Sequence, residues 1–371
     1  MKIFLCADIH LGMKFAGYPD EVRNQLIEAR FETLSRCVEI ANEKECELFV
    51  IAGDLFDRIS VAKRDIGRTA RILTEFQGKV LAVLPGNHDY FTKRSDGLWA
   101  NFMGFVENYP IIVLAEKRPY LLSEFDLNAC LYPAPCDSKH SPENHIGWIK
   151  ECKKDREVKF HIGIAHGSLE GVSPDFSGDY YPMKKAELLA CGLDLWLMGH
   201  THIPYQSKLT AKSEIFYPGT PEPDGFDCRH EGTAIVIDID NNREIKAGFL
   251  KTGKFRFIYR EEDISDLSTL RHIKDKYTDP SCKNILLKLK QKGAIPEDAF
   301  EDLNSIKYEI EENVCFLNFD TSEVTIRITP DLIEKEFTED SFPYRLLKRL
   351  TDEGDLEALQ IAYELIKEIR R

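Results

Sequence analysis

The feature that most constrains this chain is an apolar run that stops at a glycine and is followed at once by polar side chains. The clearest example is "DLWLMGHTHIP" at residues 194–204, where the apolar run ends at Gly199, just before His200 and His202. A short apolar run bounded in this way is typical of a buried strand. Residues two apart in an extended chain point the same way, so the two imidazoles are expected to face one partner.

Four other predicted strands end in the same manner, in "ADIH", "GDLFD", "GNHD" and "AHG". With "GHTH", these ends carry the candidate site residues Asp8, His10, Asp54, Asp57, Asn87, His88, Asp89, His166, His200 and His202. Taken singly, most of them have an ordinary explanation as a turn, cap or packing residue. In open α/β sheets, however, ligands bind beyond the carboxyl ends of the strands, so five such ends favour one shared site.

The residue types at these ends indicate a metal centre. Imidazole and carboxylate together suit Mn²⁺, Fe²⁺ or Zn²⁺, whereas all-oxygen sites suit Mg²⁺ and Ca²⁺. Two metals roughly 3.5–4 Å apart can clamp the attacking and leaving oxygens of a phosphoryl displacement. Such a pair needs a bridging carboxylate, and Asp54 is the natural candidate. We therefore predict two divalent ions, with Mn²⁺ as the first choice and Fe²⁺, Zn²⁺ or Mg²⁺ as alternatives.

Strand and helix patterns alternate over the first two thirds of the chain, with helices predicted at 20–46 and 63–77. Several strands are almost continuously apolar, as expected when both faces are buried. This pattern predicts an α/β domain with either a helix-covered sheet or two stacked sheets. The polar stretch 241–254 is interpreted as a boundary region.

The last third predicts a different organisation, a small α+β domain followed by a charged helical tail from Pro330. Its strand candidates include "VCFLNF" and "VTIRI", interpreted as two short strands. The predicted division of the chain is 1–250, 251–329 and 330–371.

Composition excludes some classes of function. The formal net charge is −14, which argues against a broad basic surface for nucleic acid, although bound metal ions and a local basic groove can reverse the field locally. No apolar run approaches the roughly 20 residues that span a bilayer, so no membrane association is expected. The ten cysteines include no CxxC pair and are expected to be reduced, which favours the cytoplasm.

The five motifs, spanning residues 7 to 202, resemble those of the calcineurin-like metallophosphoesterases. The resemblance implies a two-sheet sandwich flanked by helices. It also implies that Asp8, His10, Asp54 and His202 hold one metal, and that Asp54, Asn87, His166 and His200 hold the other. By the same resemblance His88 is the catalytic residue and faces the scissile phosphate. Asp89 is expected to orient His88. Asp57 is expected to contact the metal ligands without binding a metal itself.

Two further segments resemble the SbcD-type DNA repair exonucleases, including the YhaO-like group. They are "ADIHLG" and "YPGTPEPDGFDCRHEGTAIVIDI". The small α+β domain then corresponds to a DNA-capping domain, and the tail to a segment that binds an SbcC-like coiled-coil ATPase; a homodimer is also considered. Archaeal and eukaryotic relatives carry a second catalytic histidine where this chain has Asp57, so a two-histidine mechanism is not transferred.

The resulting expectation is a metal-dependent DNA exonuclease that acts in repair. Two alternatives remain open: a small-molecule phosphodiesterase or phosphatase with the same metal core, and a non-catalytic scaffold. The intact set of ligands argues against the scaffold.

Two surfaces outside the motifs are assigned candidate roles. Lys288 and Lys290 share one strand face and are predicted to bind DNA, although solvated lysines are an equally good interpretation. The tail carries apolar residues at helical spacing, which either pack on the chain's own core or dock on the ATPase. They are Leu346, Leu347, Leu350, Leu356, Leu359, Ile361, Ala362 and Ile366.

Overall fold

The computed structural model describes residues 1–370 except 174, 176, 206–208 and 211–212. It divides into two compact units, Met1–Phe257 and a second that begins at Ile258. Among the helices described, none combines the length and the apolar character needed to cross a lipid bilayer.

The first unit alternates strands and helices, as the sequence predicts. Its strands are β1 (Lys2–Cys6), β2 (Leu48–Ala52), β3 (Val80–Leu84), β4 (Ile111–Val113), β5 (Tyr120–Leu121), β6 (Ala129–Ala134), β7 (Phe160–His166), β8 (Leu195–Gly199), β9 (Ile215–Phe216), β10 (Thr233–Ile239) and β11 (Ile245–Lys251). Its helices are α1 (Asp20–Glu43), α2 (Lys63–Thr74), α3 (Leu98–Val106), α4 (Gly147–Glu151) and α5 (Lys185–Ala190).

These strands form two sheets, ordered β11-β10-β1-β2-β3-β4 and β5-β6-β7-β8-β9. Strands β1 to β4 run parallel to one another, and so do β6 to β9. Each sheet therefore gathers the carboxyl ends of its parallel strands at one edge.

Alternating side chains of β1 separate two cores. Ile3 and Leu5 share a core with Ile162 and Ile164 of β7, so this core lies between the two sheets. Phe4 belongs to a second core, on the other face of the first sheet, with apolar residues of α1, α2 and α3. Because successive strand residues point to opposite faces, one strand serves both cores.

The outer face of the second sheet is covered in the same way. Trp196 of β8 shares a core with Ile149 of α4 and Leu188 of α5, and its indole N–H donates to the Leu188 carbonyl at 2.9 Å. The layers therefore run helices, sheet, sheet, helices. The two-sheet sandwich flanked by helices, with a helical tail, is confirmed.

The polar stretch 241–254 is not simply a boundary region, because half of it is strand β11. This strand pairs antiparallel with β10, from Ile239 opposite Ile245 to Thr233 opposite Lys251. β11 is the edge of its sheet, and its residues beyond Ile245 are exposed or half-buried, so the polar residues there are compatible with a strand.

The second unit is an α+β body with three strands in the order β12-β13-β14. Its elements are β12 (Arg256–Asp263), α6 (Leu267–Tyr277), β13 (Ile285–Ile295), α7 (Glu297–Glu311) and β14 (Phe316–Ile326), followed by α8 (Pro330–Glu336), α9 (Phe342–Glu353) and α10 (Leu356–Arg370). Apolar residues of α6 and α7 pack with those of β13 in one core. The capping and ATPase-binding roles of this region stay predictions.

The prediction of two short strands at 314–319 and 324–328 is wrong, since β14 is one strand from Phe316 to Ile326. Residues 320–323, "DTSE", break the apolar pattern but continue the strand. β14 pairs parallel with β13, and a bulge between Lys290 and Lys292 adjusts the register. Pairing with a long neighbour thus outweighs the local turn signal.

The apolar residues of the tail divide between two surroundings. Leu347 and Leu359 are buried in a cluster formed by α8, α9 and α10, and Leu350, Ala362 and Ile366 pack against it. On α10, by contrast, Leu356, Ile361, Leu365 and Ile369 are exposed by 53–84%. The tail therefore has its own small core and also presents an apolar face on α10.

Candidate metal centre

The candidate ligands come from loops at the carboxyl ends of strands in both sheets. Four of them, Asp8, His10, Asp54 and His200, have positive φ, between 50° and 96°. This left-handed region is uncommon for residues other than glycine, and such residues concentrate at functional sites. Backbone hydrogen bonds hold two of these loops together, from Asp8 N to Gly53 O at 3.1 Å and from His10 N to Asp54 O at 3.0 Å.

One group of donors joins the ends of β1 and β8. The Nε2 atoms of His10 and His202 lie 3.1 Å apart, and His202 Nε2 is 4.0 Å from Asp8 Oδ1. His10 Nε2 is also 3.7 Å from Asp54 Oδ2. Asp8, His10 and His202 offer one ligand atom each, all within 4.8 Å of one another.

A second group lies around His166. Its Nε2 atom is 3.2 Å from Asp54 Oδ2 and 3.0 Å from Asn87 Oδ1. His200 reaches the same amide oxygen, with Nδ1 3.1 Å from Asn87 Oδ1. Asp54 Oδ2 therefore lies close to donors of both groups, as a bridging carboxylate must.

Hydrogen bonds to other parts of the protein hold several of these residues in place. His88 N donates to Asp54 Oδ1 at 2.8 Å, which leaves Oδ2 for the centre. His166 Nδ1 lies 2.9 Å from the Ala52 carbonyl, so Nδ1–H donates to it and Nε2 is the nitrogen that faces the centre. The His200 amide donates to the Asp8 carboxylate at 3.0 Å.

Buried carboxylates make this region attractive to positive charge. Burial opposes protonation of His166, but Asp54 outweighs it and raises the pKa to about 9. Burial likewise opposes protonation of His202, and its hydrogen bond to Asp224 raises the pKa to about 9. Burial alone would raise the pKa of Asp54. The neighbouring imidazoles, of which His166 has the largest effect, lower this pKa far below its usual range. Burial also lowers the pKa of His200 to about 3, so its neutral ring has a lone pair to offer.

The donor set fits a divalent first-row metal. Imidazole nitrogens, carboxylate oxygens and one amide oxygen converge in two groups, and the surrounding field favours cations. The structure thus brings together all seven residues that the sequence nominates as ligands. Their assignment to individual ions stays a prediction.

His88 borders the first group, with its ring centroid 4.8 Å from that of His10. Asp57 lies beside both, because its Oδ1 is 3.9 Å from His10 Nδ1 and its carbonyl oxygen is 3.0 Å from His88 Nδ1. Asp89 differs from expectation. Its buried carboxylate accepts hydrogen bonds from the amides of Phe56 and Gly86, and the Asp57 carbonyl takes the place next to the His88 ring. Asp89 therefore holds the loop backbone together.

Sequence reasoning missed the residues that support His202. Asp224 Oδ2 is 2.8 Å from His202 Nδ1, and Arg30, 1% exposed, lies 3.5 Å from the same carboxylate. Arg30 also donates to the Ile9 carbonyl at 2.6 Å. His230 Nε2 lies 2.7 Å from the His202 carbonyl. The sequence does show a polar segment, "TPEPDGFDCRHEG", that contains Asp224 and His230. Its pattern does not indicate which of its residues contacts His202.

The two lysines nominated for DNA binding lie on the second unit. Lys288 and Lys290 do share an outward strand face, since Leu287, Leu289 and Gln291 between and beside them are buried. Lys290, however, forms an ion pair with Glu323 of β14. An acidic partner therefore offsets one of the two charges, and DNA binding there stays a prediction.

A family model described as calcineurin-like phosphoesterase matches residues 1–204, more than half of the chain. Two curated proteins are similar. The uncharacterized metallophosphoesterase YhaO of Bacillus subtilis is 26% identical over 227 residues, 58% of this chain and 52% of that protein. The DNA double-strand break repair protein Mre11 of Methanopyrus kandleri is 27% identical over 235 residues, 60% of this chain and 49% of that protein. The chain spans about half the length of both relatives.

Two solved structures are also similar. A protein of Thermus thermophilus is 14% identical, with a TM-score of 0.40, and the match covers 67% of this chain and 97% of that one. A dimetal phosphatase from Danio rerio is 10% identical, also with a TM-score of 0.40, covering 68% and 99%.

Asp224 gives the first testable prediction. Asp224→Ala removes the acceptor that fixes the ring of His202, so Mn²⁺ affinity should fall by about 10–100-fold. Calorimetric titration of purified protein measures this. Asp227→Ala, which removes an exposed carboxylate of the same segment, is the matched control and should bind as the unaltered chain does. Equal affinities for the two variants would contradict a supporting role for Asp224.

Proposed function

The chain belongs to the calcineurin-like phosphoesterases, and from that membership we propose that it is a metal-dependent nuclease that hydrolyses phosphodiester bonds of DNA. The observation that carries the metal-dependent part is the position of Asp54. Its Oδ2 lies 3.2 Å from one group of donors and 3.7 Å from the other, and its Oδ1 is tied to the backbone of His88.

We propose the two ligand sets that the sequence predicts. Asp8, His10 and His202 would hold one ion, Asn87, His166 and His200 the other, and Asp54 both. Divalent ions bound there supply a lowered water pKa and neutralise charge on the phosphate oxygens. Mn²⁺ remains the proposed metal, since imidazoles and carboxylates are mixed in each set.

His88 is the proposed proton donor. Its Nδ1 lies 3.0 Å from the Asp57 carbonyl, so Nδ1–H donates to that oxygen and fixes the ring. In the doubly protonated ring, the opposite nitrogen, Nε2, is then the atom that gives a proton to the leaving oxygen of the substrate, and the ring returns to its neutral form. The hydrogen bond from His88 N to Asp54 holds this histidine beside the metal ligands.

DNA as the substrate, exonuclease action and a role in repair are supported by similarity. One relative is named as a double-strand break repair protein, and the segment after "GHTH" resembles the SbcD-type nucleases. A small-molecule phosphodiesterase with the same core is the alternative, and the second experiment below separates the two.

Asp54→Ala tests the bridging role. Because this carboxylate serves both groups of donors, its removal should release both ions and abolish metal-dependent hydrolysis. Metal analysis of the purified variant measures the first effect. Asp96→Ala, a change at an exposed loop carboxylate, should keep two ions per chain. Two ions retained by the Asp54 variant would reject the bridging assignment.

The second experiment compares substrates. Linear duplex and single-stranded DNA, a chromogenic diester and a cyclic nucleotide are incubated with Mn²⁺, with and without a chelator. We expect DNA to be degraded only with metal.

His88→Asn should lower turnover of DNA by about 10²–10⁴-fold and keep the metals, since only the proton donor is lost. His272→Asn, on an exposed position of α6, is the control. If the cyclic nucleotide were hydrolysed and the DNA stayed uncleaved, the result would favour the small-molecule phosphodiesterase.

A partner is proposed for the exposed face of α10. By resemblance to the SbcD-type nucleases, this face would dock on the coiled coil of an SbcC-like ATPase. Ile361→Glu with Leu365→Glu should abolish capture of the cognate ATPase and spare diester hydrolysis. Glu364→Ala with Glu368→Ala changes polar residues of the same helix and should leave capture intact. Undiminished capture by the first variant would reject docking, and a loss of dimer mass in light scattering would assign the face to a homodimer.

A further inference from the structure

A groove of about 620 Å³ opens in the first unit, and Gly12, two residues after the candidate ligand His10, is part of its lining. Its walls are the segment 12–16, which follows β1, and the helices α1 and α2. Ile27 and Phe31 of α1 contribute apolar surface to it. The mechanism proposed above uses none of its residues.

The groove is basic in a chain whose net charge is −14. Lys14, Arg23, Arg64 and Arg68 line it, against only two acidic residues, Glu28 and Asp65. Helix α2 as a whole carries four basic residues and one acidic residue. A local cluster of this sign attracts polyanions even when the whole molecule repels them.

Two of the four cations are already engaged. Arg68 donates two hydrogen bonds to the Glu28 carboxylate, at 2.8 and 2.9 Å, and its guanidinium lies 4.1 Å from the ring centroid of Phe31. Arg23 is 2.9 Å from Asp20. These contacts fix the wall of the groove and offset much of the charge they involve.

The other two cations are available. Arg64 is 88% exposed, and its ion pair within the described residues is with its chain neighbour Asp65 at 3.3 Å, a contact worth little at a surface. The ammonium of Lys14 is exposed and makes no hydrogen bond or ion pair within the described part of the chain. Lys14 and Arg64 therefore remain free to meet an anion.

A short series of contacts joins the groove to the metal centre. Arg58 donates to the Gly12 carbonyl at 2.7 Å and to the Asp57 carboxylate at 2.5 Å. Asp57 Oδ1 lies 3.9 Å from His10 Nδ1. Gly12 lines the groove, so one loop forms part of both sites.

We propose that this groove binds the backbone of the nucleic-acid substrate next to the scissile phosphate, with Lys14 and Arg64 each contacting one phosphate. This inference rests on the proposed function. A small diester has one phosphate, which the metals would bind. It has no further phosphate for cationic side chains outside the centre to contact. A basic groove that is linked to the centre through the loop of His10 and Gly12 therefore fits a chain of phosphates.

The test is a double variant, Lys14→Ala with Arg64→Ala, titrated against a fluorescent phosphorothioate duplex with Mn²⁺ at several salt concentrations. The logarithm of the binding constant falls by roughly 0.9 per contacted phosphate for each unit of log salt. We expect weaker binding and a slope that is flatter by about one to two units. Hydrolysis of the chromogenic diester should stay unchanged, because the metal ligands are untouched.

Lys153→Ala with Arg156→Ala is the charge-matched control. Both residues are exposed and precede β7, whereas His166 is at the opposite, carboxyl end of that strand. This control should bind DNA with unaltered affinity and slope. A third variant, Lys288→Ala with Lys290→Ala, tests the sheet face of the second unit.

The outcomes separate the two proposals. Normal DNA cleavage together with unaltered affinity and slope in the Lys14 and Arg64 variant would overturn the groove alone. So would a loss of affinity confined to the Lys288 and Lys290 variant. If the unaltered protein hydrolysed the small diester and neither bound nor cut DNA, both the groove and the proposed function would be overturned.

Discussion

The close approach of the two sheets at their carboxyl ends is the constraint on which the candidate centre depends. A Cβ atom at Gly199 would lie 2.0 Å from the Ala52 carbonyl, and one at Gly53, where φ is +94°, would lie 2.0 Å from His166 Nδ1. Only glycine fits either place. The missing side chains let the strand ends of one sheet reach those of the other, so the carboxylates of the first sheet meet the imidazoles of the second.

The same approach explains why the centre is both buried and charged. Arg30, Asp54, Asp224 and Glu222 are each at most 11% exposed, and isolated charges there would be costly. Each instead has several partners. Glu222, for example, accepts hydrogen bonds from Thr33 at 2.6 Å and from the amides of residues 254 and 255 at 2.7 and 2.8 Å. Removing one of these side chains would leave a buried charge without a partner. The resulting loss of folding stability is larger than the stability that the intact pair contributes.

The sequence predicted much of this arrangement, because apolar runs and their polar ends are local signals. The strands ending at Cys6, Ala52, Leu84, His166 and Gly199 are all present, and the two sheets follow from their alternation with helices. Predictions that needed long-range pairing were less accurate. β14 continues through "DTSE" because β13 lies beside it, and β11 forms within the stretch 241–254 because it pairs with β10 at the edge of the sheet. Asp224 was missed because it is 22 residues from His202 along the chain and acts on the far nitrogen of that ring.

The carboxylate of Asp54 has a further consequence. One of its oxygens accepts the His88 amide, and the other faces both groups of metal donors. The two oxygens are rigidly connected, so rotation about the terminal torsion of this one side chain moves them together. The position of the His88 loop and the position of the oxygen between the two donor groups are therefore coupled through one side chain. A substitution that reorients this carboxylate would therefore disturb the loop of the proton donor and both groups of metal donors together.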